Sequence, residues 1–354
     1  MEDKQKKMAE FLKKVNAKMK KEYGADVMYT GDGAGNFKPY VTGFPTIDHI
    51  NSGIGGFPRG GVTLVHGLES TGKTTLVLDA IKYNMDNNPE SNGLFVDVEN
   101  SLTEDFLKRM GIDPKRLSLT SLNTEDGLTI AKDAIAANIY DIIVIDSLAK
   151  LDSKNMMDGD LGDKKQRNQR ARIITEFLRF ISFTLRQSNT ALVLINQEIE
   201  NQDKKTPYDP DTVLPCGKQQ VYSANLRLQI KRSKKIKKGE NVVGYMCSVT
   251  SLKNKIAPFE RAKTMLSYLY NRGFVREFCH LDYLEMIGMV KKSMGLYSFV
   301  DSKYYDGKFK AGDITEIMET IKDNFGVDLT QIKPADIDYE VDGESEETTT
   351  SDDE

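Results

Sequence analysis

Tryptophan is absent from this chain and cysteine is sparse, with three residues in 354. Cys216, Cys247 and Cys279 stand far apart, without the close spacing that metal ligation uses, and they offer no disulfide framework. Reduced, partly buried thiols in a cytoplasmic protein are the expectation. No run approaches the roughly 18 apolar residues that a membrane-crossing helix needs. The opening segment, MEDKQKKMAEFLKK, lacks the apolar stretch of a secretory signal, so neither a membrane partner nor export is expected. Basic residues are missing from the far end: none follows Lys333, whereas ten acids do, from Asp336 to Glu354. Those ten acids outweigh the net charge of −4 and leave residues 1–333 at +6. An acidic tail on a mildly basic body points to a polyanion-binding surface with a tethered competitor, or to a tail that aids solubility.

What the chain does contain is ordinary for a soluble protein with a real core: 39% hydrophobic and 29% charged residues. Met8, Phe11, Leu12, Val15 and Met19 recur at helical spacing among lysines, which predicts one amphipathic helix. A polar, glycine-bearing link follows, so that helix needs a surface to pack on, in this chain or in a neighbouring one. From residue 41 short apolar strands alternate with amphipathic stretches: GVTLVHG, GLFVDVEN, DIIVIDS and TALVLINQ, with helix KTTLVLDAIKYNM after the first, helices TEDFLKRMG (closed by glycine) and DGLTIAKDAIAAN after the second, and a long helix near 168–187 after the third. Near-continuous Val/Ile/Leu strands separated by helices argue for an α/β fold, a mainly parallel sheet with helices on both faces. NLRLQIKR and VGYMCSVTSLKN, on either side of KKIKKGEN, read as a hairpin appended to it. The organisation expected is an N-terminal helix and linker over 1–40, a core over 41–275, a small α+β domain over 276–335 and a disordered tail over 336–354.

The stretch GLESTGKTT, residues 67–75, follows a predicted strand and opens a predicted helix. It fits the phosphate-binding P-loop pattern, in which glycines let successive backbone N–H groups turn inward and the helix adds its positive end. Gly67, Glu69, Ser70, Thr71, Gly72, Lys73, Thr74 and Thr75 are the residues expected around a nucleoside triphosphate. Lys73 is expected at the β- and γ-phosphates and the Thr74 hydroxyl at Mg²⁺. Asp146, ending DIIVID, supplies the acid such a metal site needs. Hydrolysis further requires a group that orients or activates water, and GLFVDVEN offers Asp97 and Glu99. Glu99 lies later, where the C-terminal ends of parallel strands meet their ligand, and either acid can instead cap a helix. These parts describe an NTPase without saying what hydrolysis drives.

With GLESTGKTT, FVDVEN, DIIVIDS, LRQSNTALVLINQ, GENVVG and LKNKIAPF in this order, the chain resembles the strand-exchange recombinases of the RecA type, bacterial and phage-encoded. The resemblance spans roughly residues 41–300, and its last three motifs discriminate far better than a P-loop, which many unrelated families share. EMIGMVKKSMGLYSF is similar to the start of that family's C-terminal domain. The family there usually has Trp-Tyr, where this chain has Leu296-Tyr297, a change read as a packing substitution.

The resemblance implies roles. Glu99 would activate the attacking water. Phe106 would lie against the adenine, unless it is a core residue of an amphipathic helix. Gln197 would sense the γ-phosphate and pass its state to the loop that follows. Lys253 and Lys255, two apart on an extended segment, project the same way. In the family the matching pair reaches the triphosphate of the neighbouring subunit, as an arginine finger does. Tyr270 resembles a position that contacts nucleotide across the same interface. The N-terminal helix would pack on the adjacent protomer of a helical filament.

Two segments resemble the family's DNA-facing loops. LDSKNMMDGDLGDKKQRNQRAR carries Met156 and Met157 as apolar wedges, and Lys164, Lys165, Arg167, Arg170 and Arg172 form a basic cluster suited to phosphates or to a solvated helix face. EIENQDKKTPYDPDTVLPCG departs from the pattern, because Glu198, Glu200, Asp203, Asp209 and Asp211 outweigh Lys204 and Lys205. The hairpin tip KRSKKIKK is a further basic patch. The resemblance implies a DNA-dependent ATPase using ATP and Mg²⁺, which forms filaments on single-stranded DNA and exchanges it with homologous duplex. Its setting would be the cytoplasm of a bacterial or phage-infected cell, with single-strand-binding and loading proteins as further partners. The rivals are a helicase-like motor of the same fold, a small-molecule phosphotransferase, and a nucleotide-gated regulator that polymerises without exchanging strands.

Overall fold

The computed structural model describes residues 2–23, 37–123, 125–151, 165–202, 210–257 and 261–332, together with 204, 206 and 208. Its strands in chain order are β1 (Pro39–Tyr40), β2 (Phe57–Pro58), β3 (Val62–Gly67), β4 (Gly93–Asp97), β5 (Leu117–Thr120), β6 (Ile142–Asp146), β7 (Ala191–Gln197), β8 (Ile199–Glu200), β9 (Thr212–Val213), β10 (Leu226–Lys238), β11 (Asn241–Asn254), β12 (Lys263–Leu269), β13 (Gly273–Phe274), β14 (Val290–Ser293) and β15 (Leu296–Phe299). The helices are α1 (Glu2–Tyr23), α2 (Lys73–Asn87), α3 (Glu104–Met110), α4 (Glu125–Ala137), α5 (Lys165–Gln187), α6 (Gln219–Ser223), α7 (Arg276–Met286) and α8 (Ile314–Phe325). The chain divides into two compact units, Met1–Asp282 and Tyr283–Glu354. The expected tail over 336–354 lies outside the described residues.

The larger unit is built on a nine-stranded sheet in the order β13-β12-β11-β10-β3-β7-β6-β4-β5. Strands β10 through β5 in that order run parallel, while β11, β12 and β13 extend the sheet antiparallel. The expected hairpin is thus β10 and β11, joined by the two residues between Lys238 and Asn241. Three strands of this sheet went unread in the sequence: β5, β12 and the two-residue β13. β5 is a short, largely solvated edge whose Leu119 is exposed, and β12 opens on a lysine and mixes buried with half-buried residues.

Side-chain alternation divides the core between the two sheet faces. Ile142 and Val144 of β6 join Val193 and Ile195 of β7 on the face covered by α2 and α3. Ile143 and Ile145 join Leu192 and Leu194 on the opposite face, against α4 and α5. This two-sided burial is why those strands read as unbroken apolar runs. α3 shows the local rules: the Thr103 hydroxyl accepts from the Phe106 N–H, acids fill the first turn, and Gly111 ends the helix at φ +76°. In α1 the apolar side chains Met8 and Phe11 remain half exposed or more.

In the smaller unit Tyr297 is buried and stacks on Phe309 with ring centroids 6.0 Å apart, and Phe299 stacks on the same ring at 5.7 Å. α8 buries Ile314, Ile317 and Ile321. Aromatic packing here centres on Phe309, and Tyr297, the second residue of the Leu296-Tyr297 pair, is one of the rings packed on it. Among the described residues no helix is long and apolar enough to cross a membrane.

Candidate functional site

Register brings the chemistry to one edge of the sheet. Gly67 pairs with Gln197, Asp146 with Ile195, and Asp97 with Asp146, so the C-terminal ends of β3, β7, β6 and β4 lie side by side. The loop from Gly67 to Lys73 crosses that edge. A Cβ on Gly67 would run into the Ile230 carbonyl, and one on Gly72, at φ +90°, would sit 2.8 Å from the Phe274 ring. Both positions require glycine for this reason. Tyr245 and Cys247 brace the loop from behind: the phenol donates to the Ser70 carbonyl at 3.4 Å and the thiol to that of Thr71 at 3.4 Å.

The loop borders a cavity of about 250 Å³. Glu69, Ser70, Thr71, Gly72, Lys73, Thr74 and Thr75 form one wall, and Glu99, Asp146 and Gln197 close it from the neighbouring strand ends. Most of the residues expected at the nucleotide are therefore gathered in one place, with Gly67 at the strand end that launches the loop. Lys73 donates to the Leu68 carbonyl at 2.7 Å. Burial lowers its pKa, against the pull of Asp146 and Glu99. The Thr74 hydroxyl donates to Asp146 Oδ2. Burial pushes the Asp146 carboxyl up to about 6, opposed by that hydrogen bond and reinforced by the nearby charge of Glu99.

The two acids of GLFVDVEN separate cleanly. Asp97 is buried and accepts from the Ser101 hydroxyl at 3.2 Å and the Leu102 N–H at 2.8 Å, which fixes the turn into α3. Glu99 faces the cavity, with Oε1 accepting from Ser147 at 2.8 Å and Oε2 from Lys150 at 3.1 Å. Ser147 and Lys150 also line the cavity, and sequence reading missed both. Their one signal was proximity to Asp146 within DIIVIDSLAK.

Other expected residues lie elsewhere. Phe106 is half-buried against the core, beside Leu102 and Met110. Tyr270 is exposed next to Tyr245 and Tyr268, at ring distances of 6.0 and 6.5 Å. Lys253, near the end of β11, donates to the carbonyls of Val221 and Tyr222 at 2.6 and 2.9 Å. Burial and then the charge of Lys255 push the Lys253 ammonium down to about 8. None of these four residues is among the described residues that line the cavity of their own chain.

Of the cations expected at DNA, Lys164 lies outside the described residues, as do Met156 and Met157. Lys165 and Arg167 begin α5, their side chains outside the description. Arg170 is half-buried and donates to the Ala149 carbonyl at 3.2 Å, while Arg172 is exposed and pairs with Glu176 at 2.9 Å. In the acidic segment, Glu198 is buried rather than displayed, and Asp211 is paired with Lys204. Burial of Glu198 takes one of the five acids off the surface.

The sequence matches the family described as the RecA N-terminal domain over residues 7–275. Protein RecA of Halalkalibacterium halodurans is 33% identical over 288 residues, covering 78% of this chain and 80% of that protein. Protein RecA of Staphylococcus aureus is 32% identical over 296 residues, 82% of each chain, and that of Aquifex pyrophilus is 32% identical over 272 residues, 76% of each. The phosphate-loop cavity at the strand ends of a mainly parallel sheet, and this match over most of the length, lead to one conclusion: the chain belongs to the RecA family of recombinases.

Proposed function

We propose that this recombinase hydrolyses ATP in a site shared by successive copies of itself, assembled as a filament on single-stranded DNA, and so drives homologous pairing and strand exchange. The observation that carries the reading is the division of labour among charged residues. The cavity gathers the P-loop, Asp146, Glu99 and Gln197 from one chain, while Lys253 and Lys255, two residues apart, lie outside its lining. Two adjacent ammonium groups are relieved by an anion between them, and a triphosphate held by a neighbour is such an anion.

Within the cavity the loop N–H groups and Lys73 bind phosphate oxygens. Thr74 and Asp146 offer two hard oxygen donors in contact, a pairing that suits Mg²⁺, which takes few protein ligands and completes its shell with phosphate and water. Bound there, Mg²⁺ would supply positive charge to offset that of the phosphates. Glu99, with each oxygen fixed by a donor, is oriented to accept a proton from an attacking water. Gln197, at the strand end, reports on the γ-phosphate to the segment that follows. Tyr270 contacts nucleotide from the adjacent copy, and Phe106 backs the adenine side through the core.

The exposed apolar face of α1 supports residues 1–40 as the piece that docks on the next protomer. Residues 41–275 form the ATPase core, 276–335 the small domain and 336–354 an acidic tail that competes with DNA for basic surface. Lys164, Lys165, Arg167 and Arg172 meet DNA phosphates, and Arg170 braces the start of α5 against the exit of β6. On this reading the setting is a bacterial cytoplasm, with single-strand-binding and loading proteins as accessory partners. The test is ATP hydrolysis with and without single-stranded DNA: strong stimulation, abolished in Lys73→Ala, supports the reading, and hydrolysis indifferent to DNA contradicts it.

A further inference from the structure

The segment that follows Gln197 leaves the sheet and returns to it at one place. β8 and β9 pair antiparallel, Ile199 with Val213 and Glu200 with Thr212, so the two feet of residues 199–213 stand together. One carboxylate holds both feet. Glu198 precedes the outgoing foot, and its Oε2 accepts from the Thr212 hydroxyl of the returning foot at 2.8 Å.

That carboxylate is also bound to the strand that launches the phosphate loop. Glu198 Oε1 accepts from His66 Nδ1 at 2.6 Å and from Gln229 Nε2 at 2.7 Å, and the Glu198 backbone N–H donates to the Gly67 carbonyl at 2.9 Å. His66 is fully buried and is the residue immediately before Gly67. Its Nε2 accepts from Arg227 Nε at 2.8 Å, which leaves the proton on Nδ1 to be donated to Glu198. A neutral imidazole thus links a buried carboxylate to a guanidinium. Burial alone would raise the Glu198 carboxyl, yet the donors from His66, Gln229 and Thr212 pull it down to about 2.

A buried ionised carboxylate is costly unless its oxygens are satisfied, and removal of any one donor exposes much of that cost. The contact is therefore stiff. Gln197 and Glu198 are adjacent in extended chain, so their side chains leave on opposite sides: Gln197 lines the cavity, while Glu198 meets His66. A displacement of Gln197 must be transmitted to the carboxylate that holds both feet of the segment.

We infer that Glu198 and His66 are positioning residues that couple the occupant of the phosphate-loop cavity to residues 199–213, and through them to DNA. The inference rests on the functional reading above, in which the cavity takes ATP and this segment faces DNA. It assigns the link to a side-chain clamp from β3 and β10, in addition to the backbone continuity of Gln197 with the segment.

The experiment uses the full chain with Glu198→Ala, His66→Ala, the double variant, and Thr212→Val, which removes only the hydrogen bond to the returning foot. Affinity for a fluorescent ATP analogue without DNA, melting temperature, and hydrolysis with and without single-stranded DNA are measured for each. Glu198→Ala and His66→Ala keep analogue affinity within about twofold and keep DNA-free hydrolysis, while stimulation by DNA falls roughly tenfold. The double variant is no worse than the worse single one, because the two residues act as one unit. Thr212→Val retains the fold and loses about threefold of the stimulation. Wild-type stimulation in Thr212→Val and in whichever alanine variants fold would overturn the inference, as would loss of analogue affinity in proportion to stimulation, the mark of a purely structural role. Wild-type hydrolysis indifferent to DNA would overturn the functional reading and this inference with it.

Discussion

The Ser147 hydroxyl donates to Glu99 Oε1 at 2.8 Å, tying the exit of the strand that carries Asp146 to the acid beyond its neighbour. With Lys150 on the other oxygen, the Glu99 carboxylate is held at the cavity without being buried as an ion pair. A base that must take a proton from water benefits from fixed geometry more than from extra binding energy.

Glu99→Gln keeps size and polarity and loses the base. Hydrolysis is expected to fall about 10²–10⁴-fold, with nucleotide affinity nearly unchanged. Ser147→Ala removes only the orientation, so its loss is smaller and appears in kcat rather than KM. Steady-state hydrolysis with saturating single-stranded DNA measures both. Equal activity in Glu99→Gln would return the role to Asp97, whose carboxylate the structure shows committed to the turn into α3.

The contact between Thr74 and Asp146 predicts a metal phenotype. Thr74→Ala removes one oxygen donor, so the Mg²⁺ concentration for half-maximal hydrolysis rises several-fold, roughly the effect of one lost ligand. Thr74→Ser restores it. A Mg²⁺ titration checks this, and an unchanged midpoint in Thr74→Ala would remove Thr74 from the metal site.

Asp48 gives a pH prediction away from the cavity. Its carboxylate accepts from the Thr42 N–H and hydroxyl and from the Gly43 N–H, yet burial raises its pKa from 3.8 to about 7. A carboxyl whose folded pKa exceeds its unfolded value binds the proton more tightly when folded. Its contribution to stability is therefore fully present below pH 3.8 and lost as pH rises to about 7. Asp48→Asn is expected to flatten the urea midpoint between those limits, and an unchanged slope would exclude Asp48 as its source.

The parts of this molecule that sequence made legible are those written in short windows. The phosphate loop and the unbroken strands β3, β4, β6 and β7 each depend on residues within a few positions of one another. The parts that stayed hidden are assembled from afar. Nothing in the spacing of His66, Glu198 and Arg227 announces a buried relay, because β3, β7 and β10 become neighbours only in the sheet. Glu198 read as surface charge on an acidic loop, and burial reverses that reading. For Phe106 and Arg170 the structure adds contacts that spacing does not give: packing beside Leu102 and Met110, and a hydrogen bond to the Ala149 carbonyl.

The central claim is that the site is completed by a neighbouring copy, and mixing two defective chains tests it most directly. Glu99→Gln lacks the base but retains Lys253; Lys253→Ala lacks the lysine but retains Glu99. Each alone is expected to be nearly inactive on single-stranded DNA. In a one-to-one mixture, random head-to-tail assembly places an intact base opposite an intact lysine at about one interface in four, and hydrolysis recovers to about that fraction of wild type. A mixture as inactive as its components, or Lys253→Ala fully active by itself, would contradict completion in trans.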